Sequence, residues 1–293
     1  MTALGFVGLG VMGGHMSRRL AGQTDRLYVY DVRKEVMEQL EGDSVRPCSS
    51  PGEVAAEAEV VFASLPTPDV VESVVTGPGG LLEGRGPMRT FVDLSTTGPE
   101  VAARVGETCT RAGVGYLDAP VSGGQAGARD GRLTIMASGT PEVLETVRPF
   151  LEVLGTNIFH VGERPGQGQL TKVLNNLLAA TNLVITAEAV ALGAKGGLDP
   201  AQLLEVISAS SGRNSATAGA FPRLVLTRSF NLGFRLRLMT KDVTLAVAEA
   251  IRQRSPMPVG ATVQQLWRAA EAEVPEDADC TEIAKMFEKW AEA

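Results

Sequence analysis

The chain opens on a short apolar run, Leu4-Gly5-Phe6-Val7, and a second, Leu27-Tyr28-Val29-Tyr30, follows a stretch from His15 to Leu20 patterned like a helix. Further apolar runs recur at Val60-Val61-Phe62-Ala63-Ser64-Leu65, Thr90-Phe91-Val92-Asp93-Leu94-Ser95, Tyr116-Leu117-Asp118-Ala119, Leu133-Thr134-Ile135-Met136-Ala137 and Ile158-Phe159-His160-Val161. They are short and alternate with helical segments, so the pattern predicts a mostly parallel sheet covered on both faces. Ligands of such sheets lie beyond the carboxyl ends of the strands. The polar strand ends Asp31, Pro66-Thr67, Ser95-Thr96 and Asp118-Ala119-Pro120 are therefore expected to converge on one crevice.

After Gly162 the period changes. Leu170, Val173/Leu174, Leu177/Leu178, Val184/Ile185 and Ala191/Leu192 fall at helical spacing and predict one helix over 167–195, stopped by Gly196-Gly197. Further helices are expected over 200–210, 240–253, 256–272 and 279–291. The fold class read from this is α/β: a Rossmann-type, mostly parallel sheet domain over 1–164, followed by an all-α domain over 165–293. The apolar stretch from Val173 to Ala194 is broken by Asn175, Asn176, Asn182 and Glu188, and reads as a buried helix rather than a membrane span. A helix so apolar on most faces needs more than one neighbour, which suggests a helical domain packed in a dimer.

Composition narrows the class. With 293 residues and 44% hydrophobic content the chain can bury a sizeable core, and its formal charge of −7 argues against nucleic-acid or anionic-membrane partners. Cys48, Cys109 and Cys280 form no C-x-x-C, so neither a zinc site nor a disulfide framework is indicated, and a reducing cytoplasm fits best. The N-terminus runs straight into the first strand with no leader pattern.

The first chemical signal is Gly8-Leu9-Gly10-Val11-Met12-Gly13, a G-x-G-x-x-G between a strand and a helix. Gly8 permits the turn out of the strand, Gly10 lets backbone approach a pyrophosphate, and Gly13 lets the helix pack closely on the sheet. Asp31 ends the second strand about where a ribose-binding acid belongs. It would repel the 2′-phosphate of NADP, whereas Arg33 and Lys34 could reach one. The acid is weighted more heavily because its position is fixed, so NAD is expected, with NADP possible.

The second signal is Asp118-Ala119-Pro120-Val121-Ser122-Gly123-Gly124, whose hydroxyl and backbone N–H groups suit an anion, although a loop needed only for turning has the same composition. In the third, Gly166 to Asn176, Lys172 and Asn176 stand at i and i+4 on one helix face. A lysine and an amide on an apolar helix are costly unless used or paired, and lysine suits proton transfer; a snorkelling lysine beside a polar contact is the plainer alternative. Fourth, no Asp or Glu occurs from Val206 to Lys241, where Arg213, Arg223, Arg228, Arg235, Arg237 and Lys241 lie. This basic stretch either attracts an anionic ligand or answers acids elsewhere. His15 and His160 are more in keeping with structural roles.

These motifs, in order and with Lys241-Asp242, resemble the β-hydroxyacid dehydrogenases, the group of 3-hydroxyisobutyrate dehydrogenase and tartronate semialdehyde reductase. The resemblance covers nearly the whole chain. It implies hydride transfer between a nicotinamide and the hydroxyl carbon of a small anionic β-hydroxy acid, with no metal. It implies further that Lys172 is the catalytic lysine, that Ser122, Gly123 and Gly124 hold the substrate carboxylate, and that Asn176 orients the substrate. Leu65, Pro66, Thr96 and Lys241 would line the cofactor, and a homodimer or homotetramer is implied. Two departures stand out. Ala137-Ser138 replaces a glycine pair found in many relatives, and neither Ser210 to Ser215 nor Phe221-Pro222-Arg223 settles into one substrate subgroup. Imine reductases on this architecture usually carry an acid or tyrosine in place of Lys172, decarboxylating 6-phosphogluconate dehydrogenase has a longer helical domain, and non-catalytic dinucleotide-binding modules tend to lose the lysine.

Overall fold

The structure, a computed structural model, describes residues 2–40, 42, 44–84 and 86–292. The chain forms two compact units, Met1–Lys172 and Val173–Ala293. The division falls six residues into a helix, Gln167–Lys195, rather than at the change of period after Gly162.

In the first unit nine strands form one sheet: β1 Leu4–Val7, β2 Leu27–Tyr30, β3 Val45–Pro47, β4 Val60–Ala63, β5 Thr90–Asp93, β6 Gly115–Asp118, β7 Val121–Ser122, β8 Leu133–Ser138 and β9 Gly155–Gly162. The order β3-β2-β1-β4-β5-β6 is parallel throughout and reverses direction of growth between β1 and β4. β8 then runs antiparallel to β6 and to β7, and pairs in parallel with β9. Buried alternation along each strand feeds two cores. Phe6, Phe62 and Val92 face Met16, Leu20, Leu144, Val147 and Leu151 on one side. Val7, Val61, Ala63 and Phe91 face Val54, Val71, Val75, Ala102, Val105 and Cys109 on the other.

The helices of this unit are α1 Val11–Ala21, α2 Lys34–Glu38, α3 Pro51–Glu57, α4 Pro68–Thr76, α5 Pro99–Arg111, α6 Gly124–Asp130 and α7 Pro141–Leu154. Three of them start by one device: Ser50, Thr67 and Thr140 accept from a backbone N–H three residues on, and a proline follows each. α1 begins inside the glycine motif, earlier than its apolar pattern predicted, with Gly10 as an N-cap that offers no side chain.

α8, Gln167–Lys195, has the predicted bounds. The second unit continues with α9 Pro200–Ser208, α10 Leu236–Arg252, α11 Pro258–Glu273 and α12 Ile283–Glu292. α12 follows a 3-10 turn, Cys280–Glu282, closed by a capping box between Asp279 and Glu282. A π-helix over Ala216–Val225, within the basic stretch, had no counterpart in the sequence reading. Within the single chain α8 is only partly covered. Only 33% of its most apolar window is covered within the chain, and Leu174, Leu178, Ile185 and Leu192 are exposed.

Candidate active site

The turn after β1 is built around close backbone approaches. Gly8 has φ of +90°, and a Cβ there would strike the Ser64 carbonyl at the end of β4. The end of β1 therefore lies against the end of β4, where the strand order reverses and where sheets of this type take their ligands. A Cβ on Gly13 would enter the Gly8 carbonyl. On Gly10 the nearest atom to such a Cβ would be Arg33 Nη2, 4.0 Å away, so the turn keeps an open face over the uncapped first turn of α1. The backbone of Gly8, Leu9, Gly10, Val11, Met12 and Gly13 thus forms a cradle that fits a dinucleotide pyrophosphate.

Asp31 lies just past β2 and is buried. Its Oδ2 accepts from the Leu9 N–H at 2.7 Å and its Oδ1 from the Arg33 N–H at 2.9 Å. The Arg33 guanidinium closes an ion pair with it at 3.4 Å while remaining 57% exposed. The acid and the arginine, expected to act separately, are one paired group. Oδ1 accepts from both the Arg33 N–H and its Nε, whereas Oδ2 keeps a second lone pair for a ribose hydroxyl. Arg33 also lines a cavity of about 240 Å³ with Leu9, Gly10, His15 and Arg18.

The ends of β4 and β5 are tied together: Leu65 donates its N–H to Ser95 Oγ at 2.9 Å, and Ser95 donates its own to Asp93 Oδ1 at 2.9 Å. Leu65 and Thr96 are half-buried there and Pro66 is exposed. Beyond β6 the chain turns through β7, and Ser122 is half-buried on that short strand opposite Thr134. Gly123 and Gly124 are exposed with φ of +134° and +62°, so the backbone of this turn is open to solvent.

Lys172 is buried near the start of α8, with 8% exposure. One turn on, in the helical unit, Asn176 is also buried; its Nδ2 donates to Asp242 Oδ2 at 2.6 Å, and its Oδ1 accepts from Asn175 at 3.1 Å. Asp242 pairs with Lys241 at 3.1 Å. One amide proton of Asn176 is thereby fixed on the carboxylate. The sequence reading took Asp242 only as part of a motif and missed this role.

Sequence reasoning also missed the cluster that fixes the start of α8. Asp118, at the end of β6, is fully buried. Its Oδ1 accepts from Ser138 Oγ at 2.6 Å and from the Gly166 N–H at 2.8 Å, and its Oδ2 from the Gln169 N–H at 2.9 Å. Burial pushes its carboxyl up to about 6, helped by the charge of Asp93 and opposed by these hydrogen bonds. The basic stretch has a more ordinary explanation than ligand attraction at two positions: Arg228 pairs with Glu288 at 2.6 Å, and Arg237 pairs with Glu271 and Glu276.

The chain is similar to known proteins over nearly its whole length. The family model described as the NAD binding domain of 6-phosphogluconate dehydrogenase matches residues 3–162, and that of the NAD-binding region of NADP-dependent 3-hydroxyisobutyrate dehydrogenase matches 166–287. The 3-hydroxyisobutyrate dehydrogenase of Pseudomonas aeruginosa is 39% identical over 98% of this chain and 99% of its own. The 2-(hydroxymethyl)glutarate dehydrogenase of Eubacterium barkeri is 34% identical over 98% of this chain and 95% of its own. Among solved structures, the Mycobacterium tuberculosis 3-hydroxyisobutyrate dehydrogenase with L-serine superposes with a TM-score of 0.89 at 31% identity, covering 98% of this chain and 99% of that one.

Proposed function

The chain belongs to the β-hydroxyacid dehydrogenase family and is an NAD-dependent hydroxy-acid oxidoreductase; on that premise we propose that Lys172 moves the proton of the reacting hydroxyl. The observation that carries the reading is the buried lysine one helical turn from an asparagine already oriented by Asp242. NAD, when bound, supplies the hydride acceptor or donor at its nicotinamide ring. In oxidation the neutral Lys172 amine takes the hydroxyl proton, and in reduction the ammonium returns it to the forming alkoxide. The Ser122 hydroxyl and the N–H groups of Gly123 and Gly124 receive the substrate carboxylate, and Asn176 holds the substrate with its remaining amide proton. Gly8 to Gly13 cradle the pyrophosphate, Asp31 meets the adenosine ribose, and Leu65, Pro66, Thr96 and Lys241 line the rest of the cofactor site.

The names of the relatives narrow the substrate. 3-Hydroxyisobutyrate and 2-(hydroxymethyl)glutarate share a hydroxymethyl group on the carbon that bears the carboxylate, and differ in the third substituent. L-serine, present in the M. tuberculosis structure, has the same three-carbon core. The proposed substrate is accordingly a small 2-substituted 3-hydroxypropanoate, or the matching semialdehyde. Replacing Lys172 by Ala is expected to lower kcat by about 10²-fold or more, with the affinity for NAD little changed. Near-normal turnover by the folded variant would remove Lys172 from the mechanism.

The working unit is proposed to be a homodimer or a tetramer built from it. Leu174, Leu178, Ile185 and Leu192 recur at four- and seven-residue steps along α8 and stay exposed, which suits a second copy of the chain. A reducing, cytoplasmic location is part of the same proposal, supported by three cysteines that are buried and free of disulfides.

A further inference from the structure

Most capped helices in this chain are capped locally, from the residue just before them. α8 is held differently. Three N–H groups at its start, those of Gly166, Gly168 and Gln169, go to side chains of the sheet that are distant in sequence. Asp118 takes two of them, and Ser138, the last residue of β8, accepts the Gly168 N–H at 2.8 Å while donating to Asp118. Gln169 completes the attachment: its Oε1 accepts from the N–H groups of Thr97 and Gly98, and its Nε2 donates to the Ser95 carbonyl at 2.9 Å. The approach is close, because a Cβ on Gly168 would press on the Met136 carbonyl and on Asp118 itself.

Satisfying these N–H groups does not require a carboxylate from another strand; a serine or aspartate just ahead of the helix would do. Burying Asp118 carries a desolvation cost that a local cap avoids. What the distant carboxylate adds is register. It ends the strand that leads within four residues to Ser122, and it grips the helix turn that leads within three to Lys172. We infer that Asp118 and Ser138 are positioning residues that set Lys172 against the acid-binding turn at Ser122, Ser138 by holding the Gly168 N–H and one side of Asp118 at once. The inference rests on the reading of Lys172 as the proton-transfer group.

The test uses the full-length protein with NAD and 3-hydroxyisobutyrate, and compares Ser138→Ala, Ser138→Thr and Lys172→Ala. Small displacements of a reacting group are costly, so Ser138→Ala should lower kcat by about 10-fold, with KM and the Kd for NAD held within about threefold. Ser138→Thr, which keeps the hydroxyl, should recover most of the loss. A purely structural serine would lower Tm and yield but leave kcat per folded molecule within about twofold of wild type, and that outcome overturns the inference. Activity in Lys172→Ala would instead overturn the underlying reading, whereas an inactive Lys172→Ala beside a normal Ser138→Ala sinks the positioning role alone.

Should Ser138→Ala fail to fold, the wild-type protein supplies the measurement. In the direction of semialdehyde reduction Lys172 acts as the ammonium, so acid should not slow it through the lysine. A carboxyl group orients the Gly166 and Gln169 N–H groups less tightly than a carboxylate, so kcat should fall as Asp118 takes up its proton, and the neutral Asp118→Asn should lack that acid limb. The ionisable groups acting on Asp118 there are Asp93 at the end of β5 and Tyr116 on its own strand. A wild-type kcat that stays flat through that interval, or an acid limb that persists unchanged in Asp118→Asn, overturns the inference.

Discussion

Asp31 and Arg33 carry opposite charges within one ion pair, and cofactor choice turns on how that pair presents itself. The carboxylate is buried and held by the Leu9 N–H, whereas the guanidinium is more than half exposed. An exposed partner contributes at most about 1 kcal/mol, so the fixed negative charge dominates at the ribose and NAD should be preferred. Asp31→Ser should release Arg33 from its ion pair and move the ratio of kcat/KM toward NADP; a wild-type preference for NADP would reverse the assignment. Asp118 makes a second prediction at this scale. Its carboxyl is raised from 3.8 to about 6, so the folded state binds the proton more tightly than the unfolded chain. The stability this group contributes is complete below pH 3.8 and is lost as pH rises through about 6, on the order of 3 kcal/mol across the window. Urea melts near pH 4 and near pH 7 should therefore show Asp118→Asn gaining on the wild type at the higher pH, and parallel changes in the two proteins would refute it. Asp31 was legible in the sequence because a strand end and a glycine turn fix its distance. Asp118 was not, because the amides it holds lie 48 and 51 residues further on, and spacing reports only near neighbours.

Among the elements, α8 was read from end to end because its apolar residues keep one period and a glycine pair stops it. The same periodicity shows which faces are apolar and not what covers them. If a second copy covers the exposed stripe, Leu178→Lys with Leu192→Lys should convert the oligomer to monomer in light scattering, at positions 67% and 73% exposed in the single chain. A wild-type protein that is monomeric at micromolar concentration would dismiss the stripe as an interface. The π-helix over Ala216–Val225 escaped notice for a different reason. Pro222 interrupts any regular helical pattern, and the wider bonding, with Leu226 donating to the Phe221 carbonyl at 3.0 Å, leaves no periodic signature that a 3.6-residue template detects.

At the scale of the whole molecule the alternation of strands and helices gave the sheet, while the antiparallel return through β7 and β8 lay hidden in what reads as a glycine-rich turn. The charge pattern was visible but ambiguous: the basic stretch finds Glu271, Glu276 and Glu288 as partners only when distant helices pack together. Those pairings also impose an order on the making of the protein. Domains fold as units while the chain is still being synthesised, the N-terminal one first, and residues 1–172 form such a contiguous unit. Arg228 and Arg237 leave the ribosome well before their carboxylate partners do. A nascent chain paused before Glu271 therefore carries Arg228 and Arg237 without these counter-charges. Synthesis of the last two helices supplies the carboxylates that neutralise these arginines within the fold.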